Sequence, residues 1–148
     1  MSESLLSNAF AEGSIAIGSV ITPESALRVA GGLLEISGRT DAPYTDAMVA
    51  ALHEFGPYFV VAPGIAIAHA RPSESVYSMG LSLLVLNEPI EFGNEANDPV
   101  RLVFGLCAPD HDGHLGVMAE LSNLLMDADR VNSLLNAVTL EDIRSILA

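Results

Sequence analysis

The sequence predicts a three-layer α/β/α sandwich, in which a mixed and mostly buried β-sheet of about four to five strands lies between helices. The first half and the last third carry apolar residues at helical spacing, whereas short apolar runs separated by Pro, Gly and Asn fill the middle. Several of these runs lack polar alternation, which is typical of strands covered on both faces. The predicted order is strand, two helices, about four strands, then two or three helices.

The first half of the chain contains a short strand and two helices. The β-branched run at residues 15–21 predicts the strand. Thr22 is a favoured N-cap residue, a proline follows it at the first helical position, and Gly38 is placed to end the helix. A second helix is predicted from Pro43 to the break at Gly56-Pro57.

The second half begins with strands and ends with helices. Helical spacing returns from Leu115 to Leu125, and a last helix follows Thr139, which with Asp142 resembles a capping box. The sequence shows no internal repeat and no linker, so residues 1–148 are predicted to form a single domain. The predicted strands cover residues 58–62, 65–68, 79–86 and 100–108.

The charge of the chain disfavours nucleic acids and anionic membranes as partners. Six Lys and Arg against nineteen Asp and Glu give a net charge of −13, which repels phosphate backbones and acidic headgroups. The longest uncharged stretch, residues 55–68, is too short and too interrupted to span a bilayer. Residues 1–10 lack the pattern of a secretion signal, and the lone Cys107 has no partner for an internal disulfide, so we expect a cytoplasmic protein.

The four histidines are the residues most able to carry chemistry, and each also has an ordinary structural interpretation. His53 ends a predicted helix, where a cation interacts well with the helix dipole. His69 ends an apolar strand at a turn, and on that context alone a structural histidine is the default interpretation. His111 and His114 lie in a polar loop before a helix, and their spacing is only a weak metal signal.

A family resemblance changes the interpretation of His69. Residues 61–72, VAPGIAIAHARP, closely resemble the phosphorylation-site signature of enzyme IIA, mannitol/fructose class, of the bacterial phosphoenolpyruvate-dependent sugar phosphotransferase system. Glu54 falls where that signature has an acidic or amide residue. The signature usually has proline before the histidine, whereas this chain has Ala68. That difference alters the entry of the strand and leaves the nucleophile in place.

Further blocks resemble the ascorbate-related branch of the same class. They are residues 92–100, residues 103–106 and the pair His114-Leu115, and they follow the family order. The resemblance implies that this chain accepts a phosphoryl group from the histidine phosphocarrier protein and passes it to a cysteine or histidine of a cognate enzyme IIB. The sugar then enters through a membrane enzyme IIC. No metal and no organic cofactor are implied.

The resemblance also implies roles for single residues. His69 is the expected phosphoryl acceptor, and His114 matches a second histidine that stabilises the phosphate. For Glu54, the helix end at Gly56-Pro57 leaves two interpretations open, an acceptor that orients the imidazole of His69 or a solvated helix-end carboxylate. Many members carry arginine where this chain has His53, so either His53 or Arg71 is expected to supply the positive charge. An apolar rim around the acceptor is expected to dock the two partner proteins in turn.

Elementary chemistry supports a histidine acceptor. Phosphoryl transfer requires an in-line nucleophile and groups that stabilise spread negative charge. An imidazole is largely unprotonated at neutral pH, and a phosphohistidine remains reactive enough to pass the group on. A histidine at a helix start can donate to the phosphate, with first-turn N–H groups adding an anion site. The chain has no GxxxxGK[ST] nucleotide loop, which argues against a kinase that uses ATP directly.

Two other functions remain open on the sequence alone. One is a regulatory enzyme IIA of the nitrogen-related branch, phosphorylated at the same histidine without transporting sugar. The other is a metal-dependent hydrolase that uses His69, His111, Asp112 and His114. The sequence does not identify the sugar, and ascorbate is the first expectation from the resembling blocks.

Overall fold

A computed structural model describes Ala9, Phe10 and residues 13–148 of the chain. Most of the N-terminal segment on which the expected absence of a secretion signal rests therefore lies outside the described residues. In the described part, no helix is long and apolar enough to cross a membrane.

The element order of residues 13–148 agrees with the prediction. The strands are β1 (Ile15–Gly18), β2 (Val60–Ala62), β3 (Ile65–Ala68), β4 (Gly80–Ile90) and β5 (Val100–Cys107). The α-helices are α1 (Pro23–Ile36), α2 (Ala42–Phe55), α3 (His111–Leu125), α4 (Ala128–Leu135) and α5 (Leu140–Leu147), and a 3₁₀ helix covers Pro57–Phe59.

Local chemistry at the helix ends explains why these boundaries were predictable. The Thr22 hydroxyl accepts the backbone N–H of Ser25 at 3.1 Å, and the Thr139 hydroxyl accepts that of Asp142 at 3.0 Å. Both threonines thus act as N-caps, which satisfy N–H groups that lack a partner within the helix. Gly38 follows α1 with a φ of +78°, a conformation that glycine adopts without strain.

Several strand boundaries differ from the prediction, since β1 ends at Gly18 and not at residue 21, and β4 continues to Ile90 and not to residue 86. Tyr58 was predicted to begin a strand, but it lies in the 3₁₀ helix between α2 and β2. Gly56, with a φ of +71°, turns the chain at the end of α2. Pro57 then has no N–H to offer a strand ladder, so regular pairing begins only at Val60. This turn places the side chain of Tyr58 beside the strand that leads to His69.

The five strands form one mixed sheet in the order β1-β4-β5-β3-β2. Strand β4 is parallel to β1 and antiparallel to β5, while β3 is parallel to β5 and antiparallel to β2. The mixed sheet confirms the predicted fold class. Because β3 and β5 are parallel neighbours, the residues that follow them emerge at the same end of the sheet. His69 follows β3, and α3 follows β5, so the topology brings two histidine-bearing segments together.

Both faces of the sheet are covered, which confirms the predicted layers. All four residues of β3 are buried. Helices α1 and α2 pack on one face, against side chains that include Ala66, Ala68, Leu84, Val103 and Cys107. Helices α3, α4 and α5 pack on the other, against side chains that include Ile65, Ile67, Leu83, Phe104 and Leu106.

The buried hydroxyl of Tyr44 connects the two segments that leave the sheet beside the site. Tyr44 lies on α2 and is 1% exposed. Its hydroxyl donates to the carbonyl of Leu106 at 2.7 Å and accepts the N–H of Ala70 at 3.0 Å. Burial raises the pKa of Tyr44, so the group stays a donor. One side chain thus ties the residue after His69 to the end of β5.

The block at residues 92–100 fixes the turn that precedes β3. The carboxylate of Asp98 accepts the backbone N–H groups of Phe92, Gly93 and Asn94 at 2.8–3.0 Å, which folds the loop onto itself. The Gly64 N–H then donates to the carbonyl of Asn97 at 2.9 Å. This loop therefore anchors the β2–β3 turn and, through it, the start of the strand that delivers His69.

Helices α1 and α2 approach closely at a glycine, and this contact generates a stability prediction. A Cβ added to Gly31 would lie 2.5 Å from Oγ1 and 2.9 Å from Cβ of Thr45, a buried residue that also donates to Glu35. The adjacent Gly32 has nothing within 4 Å of the same position. The two glycines therefore differ in tertiary contact and share the same helix.

We predict that Gly31→Ala lowers the melting temperature, whereas Gly32→Ala leaves it unchanged or raises it. Alanine improves helix propensity at both positions by up to about 1 kcal/mol, so this gain cancels in the comparison. Overpacking against Thr45 costs about 1–3 kcal/mol. Thermal unfolding followed by circular dichroism measures the difference, and equal melting temperatures for the two variants would contradict the close approach.

Candidate functional site

The imidazole of His69 is held so that one ring nitrogen remains available. Its Nδ1 lies 3.1 Å from the backbone carbonyl oxygen of Ile67. A carbonyl oxygen only accepts hydrogen bonds, so Nδ1 carries the proton and donates it. In a neutral ring Nε2 then has the free lone pair. The strand that carries His69 thus sets its tautomer through the strand's own backbone.

The free nitrogen meets the hydroxyl of Tyr58. The phenolic oxygen lies 3.1 Å from Nε2 of His69, and because Nε2 has no proton, the hydroxyl is the donor. Burial raises the pKa of Tyr58, which favours the protonated donor. Phe55 and Phe59 pack against the Tyr58 ring, with centroids 5.7 and 4.6 Å away. Sequence reasoning missed this residue, and its only signal was an aromatic pair after the Gly56-Pro57 break.

His114 faces His69 from the start of α3. The centroids of the two rings are 5.8 Å apart, so the predicted meeting of these histidines is observed. Partial burial, with His69 and His111 nearby, lowers the pKa of His114. The ring is therefore neutral at neutral pH and offers one N–H donor. It reaches this position because β5 ends beside β3 and α3 begins at His111.

The N-terminus of α3 already has a carboxylate cap. Asp110 accepts the N–H of Gly113 at 2.7 Å through its side chain and that of His114 at 3.0 Å through its carbonyl. We expected the first-turn N–H groups to form an anion site, and the structure shows that of Gly113 occupied by the Asp110 side chain. The side chain of His114 faces His69 from the same helix start.

His69 and His114 line a groove of about 1110 Å³. Arg71 lines it, is exposed, and has no hydrogen bond or ion pair to any residue that the structure describes. Its guanidinium is therefore free to bind a phosphate. Apolar groups form most of the remaining wall, which agrees with the expected apolar rim, and they include Ala47, Ala50, Ala51, Phe55 and Tyr58.

Two predicted site residues do not make the contacts expected of them. His53 Nε2 lies 2.7 Å from Glu24 Oε1 on α1, and His53 is not among the groove residues, so it is not a phosphate ligand in this geometry. The successive residue on the helix, Glu54, lines the groove instead. However, among the described residues the His69 ring bonds to Ile67 and Tyr58 and not to Glu54. The imidazole-orienting role of Glu54 therefore stays a prediction, and in this geometry Ile67 and Tyr58 are the groups that contact the ring.

The described part of the chain contains no set of side chains that could bind a metal ion. Three or more His, Cys, Asp or Glu side chains nowhere converge there in a way that could hold a metal ion. His111 and His114 line the groove with His69, but Asp112 does not. The donors required for the hydrolase alternative are therefore not assembled.

Comparisons with known proteins identify the family and agree with this fold. Residues 9–148 match the family model described as "Phosphoenolpyruvate-dependent sugar phosphotransferase system, EIIA 2". The chain is 34% identical over 128 residues to an ascorbate-specific PTS system EIIA component of Salmonella typhimurium, covering 85% of this chain and 82% of that relative.

Solved structures of the same kind are also similar. The mannitol-specific cryptic phosphotransferase enzyme IIA CmtB of Escherichia coli matches with a TM-score of 0.86 and 31% identity, covering 96% of this chain and 97% of that one. The complex of enzyme IIA Mtl and phosphorylated enzyme IIB Mtl of Escherichia coli matches with a TM-score of 0.81 and 25% identity over 93% and 96%. A nitrogen regulatory protein IIA-Ntr from Neisseria meningitidis, at 24% identity, a TM-score of 0.80 and coverage of 98% and 100%, shows the fold alone.

PTS EIIA components are phosphotransferases that carry a phosphohistidine intermediate and serve an EIIB. The family model matches nearly the whole chain, and two histidines face each other at the end of its sheet. This chain belongs to the EIIA 2 family of the phosphoenolpyruvate-dependent sugar phosphotransferase system.

Proposed function

We propose that His69 is the phosphohistidine of this EIIA and that Nε2 is the nitrogen that attacks. The observation that carries this proposal is the hydrogen bond from Nδ1–H to the Ile67 carbonyl, which leaves the Nε2 lone pair free at the groove. Nε2 forms a bond to phosphorus while the bond from phosphorus to the donor breaks, and that electron pair returns to the donor. The proton on Nδ1 stays in place.

The groups around His69 suit the charge of the transferred phosphoryl group. His114 is neutral and lies close enough to donate to a phosphoryl oxygen, and Arg71 can supply a positive charge from the groove wall. Arg71 is the remaining candidate for the charge that many family members provide with an arginine before the Glu54 position. Because the whole chain has a net charge of −13, the positive charge of Arg71 is more important at the groove.

The donor and the acceptor of the phosphoryl group are proposed to be proteins. We infer that the histidine phosphocarrier protein supplies the group and that a cognate enzyme IIB receives it, with sugar entering through a membrane enzyme IIC. The apolar wall around His69 supports docking of two protein surfaces in turn, since interface cores are rich in aromatic and apolar contacts. From these proposed partners we infer a cytoplasmic protein, and we propose that residues 1–148 form a single domain.

The first prediction about function concerns phosphorylation of His69. Incubation with phosphoenolpyruvate, enzyme I and the histidine phosphocarrier protein is expected to add one acid-labile phosphoryl group, seen by intact mass spectrometry. His69→Ala abolishes it because the nucleophile is gone. His53→Ala is the matched control, since that ring pairs with Glu24 outside the groove and its loss leaves labelling unchanged. If His69→Ala were labelled as fully as the parent, the assignment of His69 as the phosphoryl acceptor would be wrong.

The second prediction concerns His114. His114→Ala is expected to accept the phosphoryl group but to pass it on about 10²–10³ times more slowly, because one preorganised donor to the transferring group is lost. His114→Gln keeps a side-chain N–H and is expected to recover part of the rate. Rapid-quench transfer to enzyme IIB measures both variants, with circular dichroism as the folding control. Transfer by His114→Ala at the parent rate would exclude this role.

The third prediction concerns the sugar. We propose ascorbate as the substrate served by this EIIA, because a relative that is 34% identical over most of both chains is ascorbate-specific. The nitrogen regulatory neighbour supports only the fold, so sugar transport is the better supported branch. The phosphorylated chain is therefore expected to transfer faster to an ascorbate-type enzyme IIB than to a mannitol-type one. A preference for the mannitol-type acceptor would contradict ascorbate.

A further inference from the structure

We propose that the Tyr58 hydroxyl is a catalytic hydrogen-bond donor that rests on Nε2 of His69 before phosphorylation and donates to a phosphoryl oxygen afterwards. This inference rests on the proposed function, since it requires His69 to be the acceptor. It assigns to a residue of the 3₁₀ helix a contact with the reacting atom itself.

The resting contact follows from two distances in the structure. Nδ1 of His69 is committed to the Ile67 carbonyl at 3.1 Å, so the lone pair on Nε2 has only the Tyr58 hydroxyl, also at 3.1 Å, as a hydrogen-bond partner among the described residues. The hydroxyl must donate, because Nε2 has no proton in this tautomer. The same lone pair forms the bond to phosphorus.

Attack therefore requires the hydroxyl to release the lone pair. As the N–P bond forms, the Tyr58 O–H moves off the nitrogen and keeps its proton. The nearest acceptor in the product is an oxygen of the phosphoryl group now attached to Nε2. No proton is transferred and no co-reactant is needed. The phosphoryl oxygens therefore gain a hydrogen-bond donor in the same step in which Nε2 loses it.

The packing of Tyr58 permits this small movement. The residue is 49% exposed, so its hydroxyl is not confined by buried neighbours. The ring makes an edge contact with Phe55 and lies 4.6 Å from that of Phe59, whose side chain is fully buried. The ring is therefore anchored from the protein side, while its polar end lies at the groove.

The change of acceptor strengthens the hydrogen bond. A donor to an ionised oxygen forms a bond roughly twice as strong as one between neutral groups. Tyr58 thus stabilises the phosphorylated state more than the resting state, and it favours both the forward rate and the phosphorylated fraction. Burial raises the pKa of this phenol, so the donor persists across the physiological pH range.

The test compares Tyr58→Phe with Tyr77→Phe. The first variant removes only the hydroxyl at Nε2 and keeps the ring packing. The second variant also removes one tyrosine hydroxyl. Tyr77 is 62% exposed, and its hydroxyl bonds to Asp41 away from the groove. Both positions are exposed, so both variants are expected to fold. Single-turnover phosphorylation by the phosphorylated histidine phosphocarrier protein gives the rate and the equilibrium fraction.

Tyr58→Phe is expected to lower the single-turnover rate about tenfold or more and to reduce the phosphorylated fraction, while Tyr77→Phe matches the parent. In the unphosphorylated protein, the ¹⁵N resonance of His69 Nε2 is expected to move toward that of a free imidazole nitrogen only in Tyr58→Phe. A phosphorylated parent with equal rates, fractions and resonances in both variants overturns this inference alone. Failure of the parent to accept phosphate on His69 overturns the proposed function, and this inference with it.

Discussion

The hydroxyl of Tyr44 is the contact on which the geometry of the site depends. It receives the N–H of Ala70 and donates to the carbonyl of Leu106, so it joins the segment that carries His69 to the strand that leads into α3. Loss of the hydroxyl would remove both hydrogen bonds, and an unmade buried hydrogen bond costs about 1–3 kcal/mol. The parallel pairing of β3 with β5 brings the histidines to one end of the sheet, and the Tyr44 hydroxyl joins the backbones of the two segments there.

The site divides its functions between rigid and adjustable parts. The strand that leads to His69 is buried along its whole length, and its backbone fixes the tautomer of the acceptor. The groups proposed to stabilise the phosphoryl oxygens are side chains at the groove, namely Tyr58, Arg71 and His114. This arrangement suits the proposed transfer between two partner proteins, because the proposed nucleophile keeps its orientation while side chains at the groove surround it.

Sequence patterns predicted what depends on local chemistry and missed what depends on tertiary contacts. The caps at Thr22 and Thr139, the buried strands and the acceptor motif all have short-range signals. His53 and Glu54 are adjacent on α2, where successive residues point about 100° apart, and only the structure shows that Glu54 and not His53 lines the groove. Tyr58 is recognisable only once α2, the 3₁₀ helix and β3 are placed together.

The carboxylate cap on α3 has a consequence for the selectivity of the protein in a cell. Asp110 occupies the helix start that would otherwise attract small anions, and the whole chain is strongly acidic. The negative charge of the protein therefore repels free phosphate and sulfate. A docked partner protein brings its phosphoryl group directly to the site. This delivery does not depend on the affinity of the site for free phosphate. We therefore expect free phosphate to compete only weakly with a phosphoryl group that a partner protein delivers.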